Sequence, residues 1–201
     1  MMSETEVKIS RRDQILQAVV HMLEADPGGK ITTANIAKTV GVSEAALYRH
    51  FPSKAKMFEG LIEYIEDAVF SRTNRILQDF SEAEIRCEKT LTLVLTFAEK
   101  NPGMCRILAG DALAGETDRL RQRVRQFFER LETQIKQILR EAELREQKVT
   151  CIPTSASANL LTSLVEGRIR QYVRTEFSVK PTQYWPEQWQ LVSQQLLRTI
   201  G

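Results

Sequence analysis

Apolar residues recur at helical spacing along almost the whole chain, and no run of alternating apolar and polar residues is long enough to read as a strand. Ile15, Val19, Met22 and Leu23 make one stripe, which predicts a first helix from about Arg11 to Ala25, stopped by Asp26-Pro27-Gly28-Gly29. Two short helices follow. Thr32 is placed to cap one over Thr33 to Val40, and Gly41 ends it because glycine tolerates the left-handed turn conformation. Ser43 caps the next, Glu44 to His50, which halts at Phe51-Pro52.

Ser53 opens a long fourth helix through Met57, Leu61, Ile65, Val69, Thr73 and Leu77. Ser81-Glu82-Ala83-Glu84 has the form of a capping box ahead of Leu91, Val94, Leu95 and Ala98. Asn101-Pro102 reads as a cap with proline in the first helical position, leading into a shorter helix through Ile107 and Leu108. A long amphipathic helix is predicted from Thr117 to about Gln147, another from about Ser155 to Arg174 and a last one from about Pro186 to Ile200. The expected fold is all-α. The expected boundary lies inside the fourth helix, giving an N-terminal unit over 1–56 and a larger helical unit over 57–201.

Inside the N-terminal unit, Ile36, Ala37 and Val40 face inward from one short helix, and Val42, Ala46 and Leu47 from the next. Two short helices joined by a tight glycine turn make a helix-turn-helix. The second helix then presents Glu44, Ala45, Tyr48, Arg49 and His50 outward, in a shape that fits the major groove of DNA.

Charge sharpens this reading. The net charge of +2 over 201 residues is too small to indicate nucleic acid by itself, so basic charge must be local. Between Lys30 and Lys56 stand Lys30, Lys38, Arg49, Lys54 and Lys56 against the single acid Glu44. Lys8, Arg11 and Arg12 add a basic arm, and the hydroxyls of Thr32, Thr33 and Ser43 add neutral phosphate donors.

Composition excludes other classes. With 42% hydrophobic and 27% charged residues the chain is of ordinary globular make-up, with no long uncharged apolar run. The polar start, Met1 to Arg12, lacks an apolar signal core, and the three scattered cysteines Cys87, Cys105 and Cys151 suit reduced packing thiols, so a cytoplasmic location is expected. Neither His21, read as a core-edge residue, nor His50 stands at metal-ligand spacing, and no phosphate loop or nucleophile elbow occurs. Glu63, Glu66, Asp67, Glu129 and Glu132 read as solvated helix faces. No enzyme activity, metal or cofactor is expected.

The stretch ITTANIAKTVGVSEAALYRHFPSKAKMF, Ile31 to Phe58, resembles the DNA-binding domain of the TetR family, with VSEAALYRHFPSK its signature. RRDQILQAVVHMLE, SEAALYRHFPSKAKMFEGLIEYIED, EKNPGMCRILAGDAL and DRLRQRVRQFFERLE are similar to the nucleoid occlusion branch of that family, most clearly up to Gln147. The resemblance implies a three-helix DNA-binding head on a helical body that dimerises through its last two long helices. It implies a nucleoid-associated protein that, bound to chromosomal sites as one dimer or two, antagonises the tubulin-like division protein FtsZ. On the family's pattern Thr32, Ser43, Tyr48, His50 and Lys54 contact DNA, and Tyr64, Arg72, Leu93, Lys100 and Asn101 form the FtsZ-facing surface. Tyr64 stands where phenylalanine is usual, Lys100 where arginine is usual and Thr96 where glycine is usual.

An ordinary TetR-type repressor released by a small ligand remains the alternative, with Phe97, Phe127, Phe128 and Leu131 either filling or lining a pocket. For the dimer the expected core is Leu160, Leu161, Leu164, Val165, Ile169, Tyr172 and Val173 with Leu191, Leu196 and Leu197 of the last helix, a four-helix burial across a two-fold axis. Recognition helices of such a dimer enter successive major grooves roughly 34–36 Å apart, on a near-palindromic site. Trp185 and Trp189, four apart, share one helix face that packs on the body or the partner subunit.

Overall fold

The computed structural model describes residues 10–26, 29 and 31–200. Lys8 of the expected basic arm, and Lys30, lie outside the described residues. The helices are α1 (Arg11–Ala25), α2 (Thr33–Val40), α3 (Glu44–His50), α4 (Lys54–Asp79), α5 (Ala83–Lys100), α6 (Pro102–Leu108), α7 (Asp118–Glu146), α8 (Thr154–Arg174) and α9 (Trp185–Ser193). A 3-10 turn, Asp111–Leu113, joins α6 to α7.

The first four helices begin as their sequences dictate. The side chains of Ser10, Thr32, Ser43 and Ser53 each accept a hydrogen bond from the backbone amide three residues on, at 3.1–3.2 Å, which satisfies an amide that the helix itself cannot. Gly41 closes α2 at φ 73°, ψ 40°. Its amide bonds to the Lys38 carbonyl and that of Val42 to the Ala37 carbonyl, the paired bonds of a Schellman turn.

One contiguous core runs from this head into the body. Ile15, Val19, Leu23, Ile36, Leu47 and Phe51 are buried among the short helices, and Met57, Phe58, Leu61 and Ile62 carry the core onward along α4. In the body α7 packs on α8, and α8 on α5 and α6. Phe97, Phe127, Phe128 and Leu131 are all buried in this packing, and Phe128 also lines an open cleft of about 380 Å³ with Val124, Arg125 and Thr162. Phe127 meets Phe70 at 5.3 Å and Phe128 at 5.2 Å between ring centroids.

The head is fixed to the body chiefly where α1 lies on α6. Gly103 allows the close approach: a Cβ there would stand 2.3 Å from the Val20 carbonyl oxygen. The buried Arg106 guanidinium donates to the Leu23 and Asp26 carbonyls at the end of α1, at 3.1 and 2.8 Å, and to Asp111 at 2.5 Å. Three charge-assisted bonds compensate its burial and tie down carbonyls at the helix end.

Several expectations are corrected. The Ser81–Glu84 capping box does not form; α5 begins at Ala83 without a side-chain cap. The Glu146 carboxylate, from the far end of α7, takes the Ala83 amide at 2.6 Å instead. The last helix stops at Ser193, and Leu197–Thr199 (β2) pairs antiparallel with Lys148–Thr150 (β1), Val149 opposite Arg198. Three-residue strands are too short for any alternation to show in sequence. Gln147, left-handed at φ 53°, turns the chain from α7 into this ribbon.

Most of the expected dimer core is also reassigned. Leu161, Val165 and Ile169 are fully buried and Tyr172 nearly so, all within the chain's own core, and Leu196 is buried too. Leu164 stays half-buried, while Leu160 of α8 and Leu191 of α9 are 46% and 70% exposed. The period of α8 gave the apolar stripe correctly but not which of its two sides meets α5, α6 and α7. Trp185 and Trp189 pack on their own body: the Trp185 indole donates to Thr92 Oγ1 at 2.8 Å, and Arg168 lies over its ring.

His21 is exposed instead of sitting at a core edge. Cys87 and Cys105 are buried, and burial raises both thiols, Cys105 to about 12, so neither is a nucleophile at neutral pH. Cys151 is exposed, unlike the packing residue expected. Among the described residues, no helix is long and apolar enough to cross a membrane, and no cluster of His, Cys, Asp and Glu could hold a metal ion.

Candidate nucleic-acid interface

The Gly41 turn sets α2 and α3 side by side, with Ile36, Ala37 and Leu47 buried behind them. On the other side Thr32, Ser43, Glu44, Ala45, Tyr48, Arg49 and His50 are exposed, as are Arg11 and Arg12, and Thr33 is half-exposed. Each of these side chains expected to meet DNA is open to solvent.

The polar groups of this side are organised across the two helices. Thr33 at the start of α2 donates to the Glu44 carboxylate at the start of α3, at 2.9 Å, and Tyr48 Oη lies 3.5 Å from the Thr33 hydroxyl. Glu44 thus cross-links the helix N-termini, and its charge also suits the positive end of α3. The Thr33 proton is taken by Glu44, which leaves the exposed Tyr48 hydroxyl as the donor of this pair that a phosphate oxygen can reach. Arg12 lies over the Phe51 ring at 4.9 Å, and Arg11 bonds Gln14 at 2.7 Å.

Lys54 departs from expectation. Its ammonium turns toward the body, donating to the Ile31 carbonyl at 3.1 Å and pairing with Glu116 at 2.5 Å. Lys56 is likewise paired, with Glu59 at 2.6 Å. That bond and nearby Arg119 hold the Glu59 carboxyl below the usual carboxylate range, against the opposing effect of burial. Two of the five cations counted along the sequence are thus neutralised by carboxylates outside the counted stretch. Nothing in the sequence marks Glu116 or Glu59 as neighbours of the interface, because those contacts come from tertiary packing alone.

A second surface lies where α1, α4 and α6 meet. A groove of about 640 Å³ there is lined by Leu16, Val20, His21, Leu61, Met104 and others, including Tyr64 and Asn101. Tyr64 is 54% exposed, whereas the Asn101 amide is turned inward, donating to the Phe97 carbonyl at 2.7 Å. Lys100 is exposed beside it, and Leu93, two turns earlier on α5, is half-buried. Arg72 is exposed two turns beyond Tyr64 on α4, with its guanidinium folded back to the Ala68 carbonyl. The structure brings Tyr64 and Asn101 into one groove and leaves Arg72 and Leu93 outside it.

Residues 15–61 match the family described as bacterial regulatory proteins, tetR family, and residues 81–197 match the SlmA-like family of tetracyclin repressor-like C-terminal domains. The chain is 60% identical over 190 residues to a nucleoid occlusion factor SlmA of Marinomonas sp. (strain MWYL1), covering 94% of this chain and 96% of that relative. It is 57% identical over 192 residues to a protein of the same name from Shewanella amazonensis (strain ATCC BAA-1098 / SB2B), covering 96% and 98%. Among solved structures, a TetR transcription regulator from Haloarcula marismortui superposes with a TM-score of 0.77 at 17% identity, over 94% of this chain and 98% of that one. The transcriptional regulator FadR of Bacillus subtilis, solved in complex with stearoyl-CoA, gives 0.72 at 14% identity, over 92% and 98%. Those two likenesses establish the fold, and the full-length identities establish the branch within it. The chain belongs to the SlmA nucleoid occlusion factors of the TetR family.

Proposed function

We propose that this protein is a sequence-specific DNA-binding nucleoid occlusion factor, one that antagonises FtsZ assembly when bound to the chromosome. The observation that carries the reading is identity of 55–60% running through head and body alike, over nearly the whole chain. The exposed face of α2 and α3 supports the DNA half, with Arg11, Arg12, Thr32, Thr33, Ser43, Glu44, Ala45, Tyr48, Arg49 and His50 as its contact set. Residues 1–56 are the DNA-binding unit and 57–201 the dimerisation and partner unit, with α4 shared between them. The location that follows is the cytoplasm, on the nucleoid.

The functional unit is a two-fold dimer, which places two recognition helices on a near-palindromic duplex roughly 34–36 Å apart. Its face is the outer side of α8 and α9, centred on Leu160, Leu164 and Leu191, because these apolar side chains retain exposure while their neighbours fill the chain's own core. FtsZ meets the surface around Tyr64, Arg72, Leu93, Lys100 and Asn101.

The test separates the two surfaces. Arg72→Asp and Lys100→Asp are expected to keep the affinity of the wild-type protein for a selected duplex and to lose the DNA-dependent effect on FtsZ polymers in a pelleting assay. Variants that bind the duplex and still disperse the polymers would remove that surface from the proposal. A wild-type protein that binds the duplex but leaves the polymers intact would point to the repressor reading.

A further inference from the structure

The ion pair between Lys54 and Glu116 joins the two units of the molecule. Lys54 opens α4 directly behind the helix-turn-helix, and Glu116 sits in the body on the loop between the 3-10 turn and α7. That loop is held from the body side. Leu113 is fully buried, and Arg121 of α7 donates to the Leu113 and Glu116 carbonyls at 3.3 and 3.0 Å. Gly110 and Gly115, at φ 82° and 79°, make the reversals that aim Glu116 at the head. The pair is partly shielded, with 12% of the Glu116 side chain and 32% of the Lys54 side chain exposed.

Lys54 also bonds the Ile31 carbonyl, next to Thr32 at the cap of α2. It therefore lies at the border of the DNA-facing surface while its charge is spent on a carboxylate. A phosphate and a carboxylate compete for the same ammonium, since each offers anionic oxygens to the same donors.

We propose that Glu116 is a built-in brake on DNA binding: it masks Lys54, and a DNA phosphate must displace it before Lys54 joins the interface. This inference rests on the DNA-binding reading above. Glu116 acts through Lys54 and touches no DNA itself, so it is a positioning residue.

The test is fluorescence anisotropy of a labelled palindromic duplex, selected by the protein from a random pool and titrated at several salt concentrations. It compares the wild-type protein with Glu116→Gln, Lys54→Gln and the double variant. Glu116→Gln is expected to bind up to about fivefold more tightly at low salt, with the log–log salt slope of the wild-type protein, because Lys54 meets phosphate in both complexes, whereas Lys54→Gln is expected to lower that slope by about 0.9. The double variant is expected to match Lys54→Gln alone, because without the ammonium there is nothing to release. Glu116→Ala guards against an effect peculiar to the amide. Unchanged or weaker binding by Glu116→Gln overturns the brake, as does a double variant that keeps the full gain, which would reduce the effect to a generic loss of negative charge. A wild-type protein with no salt-dependent affinity for any duplex overturns the DNA-binding reading itself.

Discussion

The head and the body hold their helices by different means. In the head, α2 and α3 have 8 and 7 residues, far below the length at which a helix persists in water. Each starts on a side-chain cap, as do α1 and α4. In the body none of α5, α6, α7, α8 and α9 is capped by the side chain of its own preceding residue. Burial does the work there: the 29-residue α7 keeps one apolar stripe from Leu120 to Ala142. Local caps start the four helices of the head, the 26-residue α4 included, whereas packing sets the helices of the body, the seven-residue α6 included.

The largest effect that sharpens this contrast belongs to the body. Phe127→Ala removes a ring packed between Phe70 and Phe128 and is expected to cost about 3–5 kcal/mol, read as a fall in the midpoint of denaturant unfolding. A loss below 1 kcal/mol would mean that the core repacks freely and that burial is not what holds α7.

Next comes the seam between the units. Gly103→Ala drives a methyl group against the Val20 carbonyl, so α1 must move off α6. The expected cost is about 1–3 kcal/mol, together with weaker duplex binding because the head is no longer set on its support. Thermal unfolding and anisotropy read the two together, and unchanged duplex affinity would separate head placement from DNA binding.

A head cap is smaller. Ser43→Ala is expected to cost about 1 kcal/mol and to speed amide hydrogen exchange in α3 while leaving α7 protected. Equal acceleration in α7 would erase the distinction between the regions.

Smallest for the fold is Tyr48→Phe. Its hydroxyl is exposed and touches Thr33 only at 3.5 Å, so stability should shift by less than about 0.5 kcal/mol. Duplex binding should weaken by about 1 kcal/mol, a hydrogen bond to phosphate. Unaltered binding would take Tyr48 out of the contact set.

The same contrast governs what was legible in the sequence. Thr32, Gly41, Ser43 and Ser53 are local signals, and they placed the ends of α2 and α3 and the start of α4 to the residue. Ser81 and Glu84 carry an equally good local pattern, yet Glu146 supplies the α5 amide from 63 positions away. The stripe of Leu161, Val165, Ile169 and Tyr172 is visible in the sequence as apolar, but periodicity does not name its partner, which is the chain's own α5, α6 and α7. The short β1–β2 ribbon and the Lys54–Glu116 pair left no trace in any window, because both are made by residues distant along the chain.

The central claim is that DNA binding turns this protein against FtsZ. The most direct measurement is light scattering from FtsZ assembling with GTP, with this protein added alone and then with increasing amounts of its selected palindromic duplex. The account predicts little effect from the protein alone and a loss of scattering that saturates as the duplex fills the dimer. Scattering that is unmoved by the duplex, while anisotropy in the same buffer shows the duplex bound, would contradict it.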